Sequence, residues 1–100
     1  MPDSVERDQS PDKRLREQAA EMKSLTLELM RSVGEAAGRM ADTEDEVARV
    51  HEDLAAGRVG PVAAHELLEH AERARQFAEH ERHEQQRWTA RAENDRPPAR

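Results

Sequence analysis

The sequence predicts an all-α fold, an antiparallel helical hairpin or coiled coil with a long first helix and disordered termini, on three observations. Ala, Glu, Lys, Leu and Arg supply 54 of the 100 residues, a composition typical of long helices. Apolar side chains recur at alternating three- and four-residue spacing through most of residues 11–91. One short Gly-rich stretch, Gly57-Arg58-Val59-Gly60-Pro61, interrupts them. Leu, Val and Phe together give only 14 residues, and Ile and Tyr are absent. A chain that folds only on a partner is therefore the rival to autonomous folding.

Residues 1–10 are polar and aperiodic, and residues 92–100 end in a Pro-Pro pair that cannot continue a helix, so both ends are read as disordered tails. Ser10-Pro11-Asp12 marks the first helix start, with a capping hydroxyl, a proline suited to the first helical position and an acid near the positive end of the dipole. From there Leu15, Ala19, Met22, Thr26, Leu29, Val33, Ala36, Met40, Thr43, Val47, Val50 and Leu54 form one heptad seam broken only by two threonines. Thr43-Glu44-Asp45-Glu46 resembles a capping box, and with Gly34 and Gly38 upstream it argues for a break at 41–43. The seam keeps its phase on both sides, which favours one helix over 11–56.

Residues 57–60 then form a turn, with Gly57 suited to a left-handed cap and Pro61 opening a return helix over 61–91. Its seam, Ala64, Leu67, Ala71, Ala74, Ala78, Glu81, Gln85 and Trp88, is narrow and mostly alanine. Folding about the turn places Leu54 level with Ala64, Val50 with Leu67, Val47 with Ala71, Met40 with Ala78, and Leu29 with Trp88. Phe77 then anchors the core beside Met40, and Trp88 packs on Leu29.

At 1.5 Å per residue the first helix is about 69 Å long and the return helix about 46 Å, so residues 11 to about 25 overhang, carrying Leu15, Ala19, Met22 and Leu25. A second stripe, Leu27, Met30, Gly34, Ala37 and Ala41, lies on another face. Gly34, Ala37, Gly38 and Ala41 would admit a neighbouring helix closely, although such small residues also follow from composition alone. The interaction candidates are Leu15, Met22, Leu25, Leu27, Met30, Gly34, Ala37, Gly38 and Trp88. They point to a homo-oligomer or a helical protein partner.

The inventory also excludes. Without cysteine there is no disulfide, thiolate metal site or cysteine nucleophile. No run approaches the ~18 apolar residues of a membrane span, and the first residues lack the apolar core of a signal peptide, so a cytoplasmic protein without membrane partners is expected. Of the net charge of −6, the segment 42–56 carries most, with six carboxylates against Arg49. With no long basic stripe and only Phe77 and Trp88 as aromatics, no nucleic-acid partner is expected. Nor is a small-molecule substrate, a cofactor or catalysis: there is no phosphate loop, and paired carboxylates lack a pocket to desolvate them.

The four histidines of the return helix sit among carboxylates. Glu79, His80, His83 and Glu84 stand at one-turn spacings that could present imidazole and carboxylate to a divalent metal or respond to pH. The pattern is unspecific. His65-Glu66-Leu67-Leu68-Glu69 lacks the second histidine of a zincin helix, His80-Glu81-Arg82-His83 closes one residue early, and no histidine has a glutamate three residues before it as di-iron bundles require. Glu69 with Arg73, Glu72 with Arg75, Glu79 with Arg82 and Glu84 with Arg87 have the spacing of ion pairs along the helix. The expected role is a non-catalytic interaction or scaffolding module, with metal- or pH-responsive binding as the alternative.

Overall fold

The computed structural model describes residues 11–95; the expected tail at 1–10 and the last five residues of the tail expected at 92–100 lie outside them, whereas residues 92–94 continue the return helix, with Ala92 buried on its inner face. Two helices account for nearly all of it, α1 over Pro11–Ala55 and α2 over Pro61–Asn94. Helix α1 is unbroken through 41–43: the capping-box residues sit inside it, and the acids Asp42 and Asp45 are used sideways toward α2 instead of at a helix start. The two helices pack antiparallel along the whole of α2, and the first four turns of α1 extend past it.

The turn is tight. The Gly57 N–H donates to the Leu54 carbonyl at 3.1 Å and the Val59 N–H to the Gly57 carbonyl at 3.0 Å. No glycine among the described residues has a positive φ, so Gly57 is not the left-handed cap expected from the sequence. Its lack of a side chain serves closeness instead, since a Cβ there would come within 3.3 Å of the Leu54 carbonyl oxygen. Gly60, extended at φ −70° and ψ 163°, precedes Pro61, which fits the first turn of α2 because its missing N–H has no intrahelical acceptor there.

The core is not the seam of large side chains. The buried residues are Leu27, Gly34, Ala37, Ala41 and Ala48 of α1 and Ala71, Ala74, Ala78 and Ala92 of α2. Ala48 packs between Ala71 and Ala74, and Ala41, Ala48 and Ala78 are fully inaccessible. The Leu27-Gly34-Ala37-Ala41 stripe, expected to receive a neighbouring molecule, is thus taken up by the chain's own return arm. Small side chains let the backbones approach closely, and dispersion contacts compensate for the modest area each methyl removes from water.

Ion pairs flank this alanine seam. The Arg75 guanidinium grips Glu52 through two hydrogen bonds, of 3.0 and 2.6 Å, and lies 3.6 Å from Asp45. Arg82 donates to Asp45 at 2.5 Å and to Asp42 at 3.2 Å. These contacts form only when the alanine face of α1 is turned inward, because the carboxylates border that face. Two of the expected pairs along α2 are consequently replaced: Arg75 and Arg82 cross to α1 and leave Glu72 and Glu79. Glu84 with Arg87, at 3.1 Å, and Glu69 with Arg73, at 4.0 Å, keep the intrahelical arrangement.

Candidate functional site

With the alanine face inward, the heptad seam of α1 is displaced to the side of the hairpin. Leu15, Met22, Leu25 and Leu29 are 60–64% exposed, and Met40, Val47, Val50 and Leu54 remain 37–53% exposed. Their spacing keeps them on one face of a straight helix, so they form a continuous strip from the overhang to the turn. This is a large exposed apolar surface in a chain with few large aliphatic residues.

The strip is bordered by α2 on one side. Phe77, 44% exposed, lines a shallow depression with Glu44, Val47, His51, His70 and Arg73. It is a shoulder of the apolar face and not the core anchor beside Met40 that turn counting predicts. Neighbouring depressions are lined by Ala36, Met40 and Thr43, and by Thr43, Val47 and Val50, so the face continues along α1. Within the strip Thr26 donates its hydroxyl proton to the Met22 carbonyl at 2.8 Å, which satisfies a polar group that the face would otherwise present.

Trp88 is half-buried, and its backbone stands level with Gly34, five residues along α1 from the Leu29 level expected by turn counting. A Cβ on Gly34 would stand 3.5 Å from the Trp88 Cβ. The indole lies under the Arg91 guanidinium, 5.3 Å from the ring centroid, in a cation–π geometry. Of the other expected contact residues, Met30 and Gly38 are half-buried at the margin of the hairpin interface. The nine candidates thus divide: Leu15, Met22 and Leu25 face outward, whereas Leu27, Gly34 and Ala37 face α2.

The histidine cluster is dispersed on the surface. Glu79, His80 and His83 are exposed, and Glu84 accepts a hydrogen bond from Arg87. Among the described residues no group of three or more histidines, cysteines or carboxylates is arranged to hold a metal ion. A closer histidine pair, His51 and His70, has ring centroids 5.6 Å apart across the two helices. His51 Nδ1 bonds the Val47 carbonyl, and Arg73 donates to His70 Nδ1, both at 2.8 Å. Sequence reasoning missed this pair because it needs the register of two helices; only the shared proximity of both residues to the turn could have signalled it.

The electrostatics belong to the opposite task, holding the hairpin shut. The hydrogen bond from Arg75 keeps the Glu52 carboxyl below the ordinary glutamate value, against a smaller opposing effect of desolvation. Arg75 and Arg82 are correspondingly raised by their hydrogen bonds to Glu52 and Asp45. Among the described residues no helix is long and apolar enough to cross a membrane. No protein-family model, curated protein or solved structure matches this chain.

Proposed function

We propose that the chain is a non-catalytic interaction or scaffolding module that works by coiled-coil self-association or by receiving a partner helix along the outer face of α1. The observation that carries this is the exposure of the strip from Leu15 to Leu54. Eight large apolar side chains stand along one face while the hairpin is closed by alanines elsewhere. Covering that face would remove the exposed parts of these eight side chains from water, a favourable contribution that grows with the area covered. The heptad spacing suits a helix as the covering element, since knobs at these intervals fit the holes of a second helix.

The rest of the molecule is consistent with a structural role. Among the described residues the surface depressions are shallow and open, no large side chain is fully buried, and no titratable group is held in an enclosed pocket where catalysis could tune it. Sedimentation over a wide concentration range tests the proposal. The average mass is expected to rise above that of one chain as concentration increases. A strict monomer up to roughly 100 μM, about 5.5 kcal/mol at that dissociation constant, would remove the self-association arm.

A further inference from the structure

Resting on the self-association proposed above, we infer that the occupant of the strip is the same strip of a second copy, running antiparallel, with the two-fold axis passing between Val33 and Ala36.

Three properties of the strip lead there. The first is its internal arrangement. Reversed on itself about that axis, the seam pairs Leu15 with Leu54, Ala19 with Val50, Met22 with Val47, Thr26 with Thr43, and Leu29 with Met40. The only two polar members of the seam fall level with each other, and every other layer is apolar against apolar. A two-fold contact of this kind is self-complementary, and its closure leaves no second strip to propagate a filament.

The second property is charge, which separates antiparallel from parallel. Residues 42–55 hold six carboxylates against Arg49, whereas residues 14–27, level with them in the reversed copy, hold Arg14, Arg16 and Lys23 against Glu17 and Glu21. A parallel pair would lay the two acidic segments side by side. Arginines of α2 already engage Asp42, Asp45 and Glu52, but Glu44, Glu46 and Asp53 remain for this comparison. The antiparallel pair instead brings Lys23, beside Met22, toward Glu44, beside Thr43, once in each half. Neither residue takes part in the ion pairs that tie α1 to α2. Like charges placed in register are costly and opposite ones set orientation.

The third property is area. From Leu15 to Leu54 the strip is about 58 Å long and about one helix wide, near 10 Å, or roughly 600 Å² per copy. That is at the lower end of what specific pairs bury, about 600–1,000 Å² on each side. The overhang of one copy also supplies what the other lacks, since its Leu15 and Met22 would lie over Leu54 and Val47, which α2 leaves open on the far side of the hairpin.

Cysteine cross-linking reads the arrangement, because the chain contains no cysteine of its own. Four single variants serve, Leu15→Cys, Leu54→Cys, Leu29→Cys and Met40→Cys. Under mild oxidation, Leu15→Cys mixed with Leu54→Cys, and Leu29→Cys mixed with Met40→Cys, are expected to give disulfide-linked heterodimers, identified by mass. The yield should be at least about tenfold that of any variant alone, because same-residue sulfurs in the antiparallel pair lie about 16 Å apart or more and cannot bond. Efficient cross-linking of each variant with itself would establish a parallel pair and overturn the inference while leaving self-association intact. A dimer by sedimentation that gives none of these cross-links overturns it also, by placing the contact elsewhere. A monomer by sedimentation overturns both this inference and the self-association arm on which it rests.

Discussion

Replacing Leu29 by Gln separates the two roles that a large apolar residue of α1 could have. Leu29 is 64% exposed in the hairpin, and the residue opposite it on the reversed copy is Met40. Fully burying a leucine is worth about 1.5–3 kcal/mol, so the roughly two-thirds still open to water represents about 1–2 kcal/mol. A symmetric pair contains the layer twice, and Leu29→Gln should therefore weaken association by about 2–4 kcal/mol, or roughly 30- to 1,000-fold in the dissociation constant. Gln is nearly as good a helix former as Leu, so the helix itself is little changed. The assay has two readouts: the dissociation constant by sedimentation, and the thermal transition by circular dichroism at concentrations where the wild type is monomeric. The expected result is a large loss in the first with the second unaltered. A lowered transition of the monomer with unchanged association would show that Leu29 is core, as turn counting places it, and would refute the assignment of faces.

Three further perturbations probe the hairpin. Ala48→Leu puts three extra carbons where Ala48 is inaccessible against Ala71 and Ala74, and overpacking of this kind costs about 1–3 kcal/mol, to be seen as a lower melting temperature. Gly34→Ala should raise the melting temperature, because the new Cβ meets Trp88, Gln85 and Thr89 at ordinary contact distances of 3.5–3.7 Å and removes a helix penalty of about 1 kcal/mol. Acid should loosen the hairpin through Glu52. Its carboxyl titrates lower in the folded chain than in the unfolded one, so its contribution is fully present above the ordinary value of 4.5 and is lost as pH falls through the folded value. Melting temperatures of wild type and Glu52→Gln should therefore differ at pH 7 and converge in the acid range, and a constant difference across pH would contradict this.

The elements were legible in the sequence because they depend on local chemistry. Pro11 and Pro61 open the helices, the Gly57–Gly60 stretch separates them, and an unbroken 3.6-residue phase carries α1 past its internal capping box. The faces were not legible, for a physical reason. Ranking positions by hydrophobicity assigns Leu29, Met40 and Val47 to the hairpin, but two lone helices are held more closely by Ala41, Ala48 and Ala78, whose size permits backbone approach. That choice turned the level of Trp88 from Leu29 to Gly34 and moved Phe77 to the surface. The arginines misled likewise: Arg75 and Arg82 have acids one turn away on α2, yet the carboxylates they reach belong to α1 and become neighbours only once the register is set. Of the contact residues, Leu15, Met22 and Leu25 were readable as outward because the return helix is too short to reach them. Leu27 and Ala37 were not, since a small-residue stripe looks the same whether its neighbour is the same chain or another.

Among the described residues, the first four turns of α1 have no second helix packed along them to protect their backbone amides. Single helices of this length are only marginally stable in water, so amide exchange should be fastest there and slowest around Ala41, Ala48 and Ala74. The same segment carries Arg14, Arg16 and Lys23, bonds that trypsin cleaves when a helix frays. Docking a second copy over it would then slow both exchange and cleavage, making the projecting tip a built-in reporter of assembly.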